Sequence, residues 1–296
     1  MEMEVVPYSI IYNPNSATAK NLNIPGYIEK EMCHPPLIAA RTTGMGHATA
    51  ISREILEDGR TRLLFIAGGD GTLNEAVQPL VKTDMIICVF PTGTGSDFAR
   101  SLGILNIEHS VMSAKNGHAT RVDCAVCTWN GRSRYFLNIM EVGFGAMVMD
   151  RVNSSDSRDR HVFTRSVFRE LMHLKSYNIT IAADEIDHAF ITPEIIVANG
   201  RYFGRGMKAS PESSLTDGML DIHVIGKIGR LKLLRKFGSL KSGDYIRDPV
   251  VTNIKASKIE ISGFAPVEID GEVVDPLPVS VSVVPRSLTF TSMNKC

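Results

Sequence analysis

The chain has 296 residues and carries 32 acidic and 32 basic side chains, so its formal charge is zero. That length accommodates about two domains with ample core, and the balanced charge excludes a whole-molecule attraction to nucleic acid or anionic lipid; any such attraction must be local. Met1-Glu2-Met3-Glu4 lacks the basic start of a secretory signal and no uninterrupted apolar run approaches membrane-spanning length, so a cytosolic protein is expected.

Along the first part, strand patterns at 5–12, 37–41, 63–67 and 85–90 alternate with helical ones such as 47–57. This alternation predicts a parallel sheet covered on both faces, with ligands at the carboxyl ends of its strands. The loops at Asn13, Thr42, Gly68 and Gly93 all follow strands and are expected at that edge. Near residue 125 the pattern changes to strands joined by turns. Asn130-Gly131 predicts a hairpin between 126–129 and 135–139. Alternating β-branched stretches follow at 179–181, 195–197, 220–225, 254–261 and 279–284, interrupted by helical segments at 162–174 and 228–240. The expected fold is α/β plus all-β: a three-layer α/β/α domain over 1–125 and an antiparallel β-sandwich over 126–296. The five cysteines, Cys33, Cys88, Cys124, Cys127 and Cys296, are scattered and odd in number, which fits reduced thiols. Cys124-x-x-Cys127 lies in a strand-like stretch without a second ligand pair and reads as buried core.

Gly68-Gly69-Asp70-Gly71-Thr72 stands directly after Leu63-Leu64-Phe65-Ile66-Ala67 and before the helical pattern from Leu73. Glycines let backbone approach a ligand, and N–H groups at a helix start point at an anion, so the turn favours phosphate. The Asp70 carboxylate would repel bare phosphate and implies a divalent cation or a transferable proton between them. The plainer reading is a turn that only joins strand to helix. A second strand and turn, Pro91-Thr92-Gly93-Thr94-Gly95-Ser96-Asp97, repeats the small residues followed by an acid. Towards the C-terminus, Val267-Glu268-Ile269-Asp270-Gly271-Glu272 includes the carboxylates of Asp270 and Glu272. In an extended segment Asp270 and Glu272 share one face, and proximity raises one pKa, which suits a base. The alternative is that Asp270-Gly271 is a tight turn.

Taken together, these motifs resemble the diacylglycerol kinase catalytic-domain family, in particular its soluble bacterial lipid kinases, with sphingosine and ceramide kinases as more distant relatives. The resemblance runs from Ile11-Tyr12-Asn13-Pro14-Asn15-Ser16 through Arg121-Val122-Asp123, Gly204-Arg205-Gly206-Met207 and Thr216-Asp217-Gly218-Met219-Leu220-Asp221 to Val284-Pro285-Arg286-Ser287-Leu288. The family usually has Gly where Ala17 stands and Asn where Ser96 stands. The resemblance implies an ATP-dependent, Mg²⁺-using lipid kinase that transfers the γ-phosphate to a lipid hydroxyl, diacylglycerol giving phosphatidic acid. It implies nucleotide contacts from Asn13, Pro14, Asn15, Ser16 and Ala17, from Thr42, from Gly68, Gly69, Asp70, Gly71, Thr72, Leu73 and Asn74, and from Thr94. It implies catalysis by Asp270, Glu272 or Asp70, and magnesium held by Asp97, Asp123 and Asp217 with carbonyls of Ser214 and Met219. Without it, Asp97 reads as a helix N-cap and Asp217-Gly218 as a turn. It further implies that the last strand returns to the first domain.

Lys227-Ile228-Gly229-Arg230-Leu231-Lys232-Leu233-Leu234-Arg235-Lys236-Phe237 contains no acid and has an apolar stripe at helical spacing; Arg158, Arg160, Arg165 and Arg169 make the other helix basic. Either helix could meet a membrane surface at the cytoplasmic face, or pack its stripe on its own core. The expected partner is a lipid at that surface, not nucleic acid, and a homodimer is left open. An NAD kinase shares the Gly-Gly-Asp-Gly turn and two-domain plan, although Asp270-Gly271-Glu272 fits lipid kinases better. A noncatalytic lipid-binding protein on this scaffold is disfavoured by the intact acids Asp70, Asp270 and Glu272.

Overall fold

A computed structural model of the chain describes residues 6–155, 161–184, 186–230, 232–233 and 238–293. These fall into two compact units. The first runs up to Cys124 and takes in Gly204–Gly206 and the residues from Pro285 on; the second comprises Ala125–Phe203 and Met207–Val284.

The first unit begins with β1 (Tyr8–Tyr12), α1 (Ile24–Met32), β2 (Ala39–Arg41), α2 (His47–Asp58), β3 (Leu63–Gly68), α3 (Asp70–Val77), β4 (Ile86–Pro91), α4 (Asp97–Ser101) and α5 (Ile107–Asn116). Strands in the order β2-β1-β3-β4 are parallel throughout. Every residue of β3 is buried, as a parallel strand covered on both faces requires. On one face Tyr8, Ile10, Phe65 and Phe90 pack with Ile24 and Ile28 of α1 and Val111 of α5. The alternate strand residues Ile11, Leu64 and Ile66 are also buried, as are Ile51 and Ile55 of α2 and Leu73 of α3. The result is the expected α/β/α layering.

The second unit is built from the end of β5 (Ala119–Trp129), β6 (Arg132–Phe136), β7 (Ile139–Gly143), α6 (Phe144–Asn153), α7 (Val162–Met172), β8 (Tyr177–Ala183), β9 (Ile186–Thr192) and β10 (Glu194–Ala198). After the short ribbon β11 (Tyr202–Phe203) and β12 (Met207–Lys208) come β13 (Leu220–Ile225), α8 (Ser239–Ser242), β14 (Val251–Ala256), β15 (Lys258–Gly263), β16 (Val267–Ile269), β17 (Glu272–Val274) and the first part of β18 (Val279–Thr291). One antiparallel sheet has the order β14-β13-β10-β7-β16-β17; the other runs from β18 through β15 and β8 to β9. Met140, Val142, Ile195, Val197 and Ile222 from the first sheet share a core with Ile179, Ile181, Ile259, Ile261 and Val281 from the second, which makes this unit a β-sandwich.

Local sequence placed most elements, and three departures have physical causes. The segment at 135–139 is not one strand: it breaks at Leu137-Asn138, where backbone N–H groups turn to the Asp270 carboxylate. The stretch at 254–261 is two strands, β14 pairing with β13 and β15 with β18 and β8, with a break at Ser257, whose N–H goes to Asp184. The stretch at 279–284 continues as β18 to Thr291, and its Thr289 and Phe290 pair parallel with Ile86 and Ile87 in the first unit. Asn130 and Gly131 take φ of 45° and 73° in the β5–β6 hairpin, as a two-residue primed turn demands. Cys88, Cys124 and Cys127 are buried free thiols, and burial pushes Cys127 up to about 12. Of the expected helix at 228–240, Leu231 and Leu234, Arg235, Lys236 and Phe237 lie outside the described residues, as do Arg158 and Arg160. Leu233 is buried with Leu171, Ile225 and Ile228, so that part of the stripe covers core.

Candidate functional site

In the first unit the carboxyl ends of β1, β3 and β4 bring three loops together. Gly68 O accepts from the N–H groups of Thr92 (3.2 Å) and Gly93 (3.1 Å), which locks the two glycine turns side by side. Asn13 N donates to Ala67 O, and its Nδ2 lies 3.3 Å from Thr72 Oγ1. Asn15 N returns to Asn13 Oδ1, and Ser16 Oγ lies 2.7 Å from Thr92 Oγ1. Thr42 is buried at the end of β2, its N–H on Tyr12 O. Pro14 is half-buried; Asn15, Ala17, Gly71 and Thr94 are exposed around this edge. Leu73 and Asn74 do not share that surface: both are buried within α3, Asn74 accepting from Gln78 Nε2.

The glycines differ in what forces them. A Cβ on Gly93 would come 2.3 Å from Gly69 Cα, and one on Gly68 would come 2.6 Å from Thr72 Cβ. Packing alone requires those two. A Cβ on Gly69 would meet nothing nearer than Gly93 Cα at 3.5 Å, one on Gly71 nothing within 4 Å, and neither residue has positive φ. The chain itself does not need glycine at 69 and 71, whereas an anion approaching the N–H groups at the start of α3 does. Ser96, where the family usually has Asn, takes φ of 51°, a left-handed conformation that Asn tolerates better. Its buried Oγ has no partner among the described residues.

Asp70 is the first residue of α3, and its carboxylate accepts from the N–H groups of Asp97 (3.0 Å) and Phe98 (3.1 Å). Asp97 is therefore not the N-cap of α4. Ser96 holds that position without a side-chain bond, and Asp70 supplies the acceptor from another loop. The Asp97 carboxylate, itself buried, accepts from Arg205 N (2.9 Å) and Gly206 N (2.6 Å). Gly204, Arg205 and Gly206 all have positive φ, which aims consecutive N–H groups at one anion. Burial first, then the charge of Asp70, raises the Asp97 carboxyl above its ordinary range, while the Arg205 and Gly206 N–H groups act the other way. Asp123 is buried and accepts from Arg286 N at 2.7 Å.

In the second unit Asp217 closes an Asx turn onto Met219 N (3.1 Å) and lies 2.9 Å from Lys255 Nζ; Ser214 Oγ lies 3.2 Å from Thr216 Oγ1. Among the described residues no group of three or more His, Cys, Asp or Glu is disposed to hold a metal ion. Asp270 and Glu272 are not i and i+2 of one strand. Asp270-Gly271, with φ of 46° and 92°, is the two-residue turn between β16 and β17, where Ile269 pairs with Glu272. The Asp270 carboxylate accepts from Leu137 N (2.9 Å), Asn138 N (3.1 Å) and Ile139 N (3.1 Å). Glu272 forms a two-point pair with Arg134 at 2.7 and 2.8 Å. Gly271 O accepts from Asn153 Nδ2, and Gly271 N donates to Glu268 Oε2 at 2.6 Å.

Sequence reasoning missed Glu141 and Glu194, gave no role to Glu268, Arg134 or Asn153, and carried Gly204-Arg205-Gly206 only as a motif. A lone acid in each of the apolar runs Ile139-Met140-Glu141-Val142, Glu194-Ile195-Ile196-Val197 and Val267-Glu268-Ile269 was the available clue.

Residues 7–127 match the diacylglycerol kinase catalytic domain, and residues 138–292 match the YegS C-terminal NAD kinase beta sandwich-like domain. A diacylglycerol kinase of Mycobacterium tuberculosis is 30% identical over 237 residues, spanning 77% of this chain and 76% of that protein. One from Bacillus subtilis is 29% identical over 282 residues, spanning 91% and 90%. Among solved structures, a diacylglycerol kinase from Bacillus anthracis has a TM-score of 0.72 at 20% identity, covering 98% of each chain. An NAD kinase from Archaeoglobus fulgidus in complex with ATP reaches 0.52 at 13% identity, covering 96% of this chain and 93% of that one. These two show the shared fold. With the family's domains matched along both units, the chain belongs to the diacylglycerol kinase family, ATP-dependent kinases that transfer phosphate to an alcohol.

Proposed function

We propose that the chain is a lipid kinase that transfers the γ-phosphate of ATP to the hydroxyl of diacylglycerol, giving phosphatidic acid. The observation that carries the nucleotide part is the room for a Cβ at both Gly69 and Gly71, glycines that neither packing nor φ demands. The named relatives support the acceptor. Thr72, Thr94, Asn15 and the backbone N–H groups of Ala17 and 69–72 are the donors to phosphate oxygens.

In the reaction the acceptor oxygen bonds to the γ-phosphorus, the bond to the β-phosphate bridging oxygen breaks, ADP leaves and the hydroxyl proton needs an acceptor. Glu272 is the better acceptor. Three N–H donors already occupy Asp270, which acts as the anchor of the turn, whereas Glu272 is partly exposed and engages one arginine. Asp70 fixes the start of α4 and with it the second glycine loop. Mg²⁺ would supply charge neutralisation at the phosphates, and oxygen-only donors suit that hard cation. The oxygens of Asp97 are both engaged by N–H groups and Asp217 faces Lys255, so the protein side chains alone do not make its cage.

We assign access to a bilayer to α7, the basic helix that precedes the segment at 228–240. No helix among the described residues is long and apolar enough to cross a membrane. On α7, however, Phe168 and Met172 are 53% and 64% exposed and share a shallow depression with His161, Thr164, Arg165 and Arg169. Exposed apolar side chains between cations fit an anionic lipid surface. The deciding experiment measures ATP consumption against a panel of lipids, with NAD as the control. Turnover on diacylglycerol is the expected outcome; turnover on NAD alone would make the chain an NAD kinase, and none on any acceptor would leave a binding protein.

A further inference from the structure

Glu141 on β7, Glu194 on β10 and Glu268 on β16 lie on three neighbouring strands of the six-stranded sheet. Glu268 stands directly opposite Glu141, and Glu194 opposite Gly143, two residues on, so all three project from one face. They are 8%, 5% and 2% exposed. Glu194 Oε2 accepts from Gly145 N at the start of α6 (2.8 Å), and Glu268 Oε2 from Gly271 N (2.6 Å). Glu194 Oε1 is buried with no donor. A Cβ on Gly145 would come 2.5 Å from both Glu141 carboxylate oxygens, so the helix is cut away to admit that group.

Carboxylates this deeply buried need a cation or a proton. No cation serves. Among the described residues none of the three forms an ion pair, and the group is not disposed to hold a metal. On α6, Asp150 carries no positive charge and Arg151 is bound to Glu170 of α7. The β16–β17 turn presents Asp270, and Glu272 with its own partner Arg134. Tyr177 and Tyr245 are neutral phenols, raised by burial. On β13, Asp221 is engaged by Ser213 and Lys255, while His223, its pKa lowered by burial, is engaged by Ser210 and Asn253. The remaining solution is hydrogen bonding between the acids themselves, Glu141 to both Glu194 and Glu268, and each such contact requires a proton.

We infer that Glu141, Glu194 and Glu268 form a proton-sharing carboxyl cluster that positions the Asp270-Gly271 turn through the Glu268 bond to Gly271. Burial, then neighbouring negative charge, raises Glu194 and Glu268 well above the ordinary glutamate value, the direction that sharing a proton requires. The catalytic consequence rests on the lipid-kinase reading. The cluster itself does not, because none of its members is a catalytic residue: each acts through the turn.

Two measurements on the full chain are independent of activity. In infrared spectra of folded protein at pH 7, a protonated-carboxyl absorption is expected, reduced by Glu141→Gln, Glu194→Gln or Glu268→Gln. Its absence overturns the cluster, whatever the kinase assay gives. By NMR hydrogen exchange, Glu268→Ala should speed exchange of the Gly271 N–H while Glu268→Gln, which keeps an acceptor, should largely preserve protection. Equal protection in both variants overturns the positioning role. If the lipid panel identifies an acceptor, Glu268→Ala should lower kcat about tenfold with little change in the KM for ATP. Glu268→Gln should recover much of that loss and move the alkaline limb of the pH profile; an unmoved limb and no recovery overturn the link to turnover.

Discussion

Asp70 and Asp97, 27 residues apart in sequence, meet as cap and capped: both oxygens of Asp70 accept N–H groups from the first turn of α4, which Asp97 opens. An acid in a glycine turn, expected to face phosphate, thus also fixes the neighbouring loop. Removing such a cap costs about 1–2 kcal/mol. Asp70→Ala should lower stability by that amount in urea unfolding and also abolish turnover. A variant that loses turnover at unchanged stability would show that capping is not the residue's structural contribution.

The two glycine turns separate binding from packing. Gly93→Ala forces a Cβ against Gly69 Cα, and overpacking of this kind costs about 1–3 kcal/mol. The Cβ of Gly69→Val meets only ordinary contact inside the protein, so stability should stay within about 1 kcal/mol of wild type. Its branched side chain would nevertheless fill the space where phosphate meets backbone. Calorimetric titration with Mg·ATP should show a large loss of affinity in Gly69→Val, and an unchanged affinity would move the nucleotide away from this turn.

Asp270 and Glu272 should part company on substitution. Asp270→Ala leaves three backbone N–H groups without their acceptor, at a cost of about 2–4 kcal/mol. Glu272→Gln disturbs a partly exposed pair with Arg134, worth about 0.5–1 kcal/mol. Turnover of the folded Glu272→Gln protein is expected to fall at least about a hundredfold. Residual activity within about tenfold of wild type would remove Glu272 from the proton-transfer step.

What could be read from the chain was local. Leu63 through Thr72 announces strand, turn and helix within ten positions, and Asn130-Gly131 fixes its hairpin from two residues. The same local logic offered two readings of Asp270-Gly271, and the turn prevailed because both residues adopt positive φ. Long-range bonding was invisible. Nothing near Leu137 reveals that a carboxylate more than 130 positions away takes its N–H and splits the strand. Nor does the sequence around Gly204-Arg205-Gly206 reveal that Asp97 is its partner.

The buried glutamates give a pH dependence of definite sign. Their folded-state pKa values lie above the ordinary 4.5, so the folded protein binds protons more tightly than the unfolded chain. By linkage their contribution is fully present below the ordinary value and is lost as pH rises through the raised ones. Urea midpoints of the wild type should therefore fall as pH rises from the ordinary glutamate value into the raised range, and Glu141→Gln should flatten that slope. A wild-type midpoint that rises across this window would reverse the assignment.

Membrane access makes the last demand on α7. Arg165 and Arg169 flank Phe168 and Met172, so charge and apolar insertion act from one helix face. Each basic side chain near an anionic surface contributes about 1 kcal/mol, and salt screens that contribution. Arg165→Glu with Arg169→Glu should therefore weaken binding to phosphatidylserine-containing vesicles by at least about tenfold at low salt. Phe168→Ser with Met172→Ser should weaken it at any salt, because the apolar term is unscreened. Both double variants should keep their activity on a short-chain dispersed substrate better than on vesicle-borne lipid. Equal losses on the two substrates would mean damage to folding or catalysis, and undiminished vesicle binding would assign the bilayer contact to another surface.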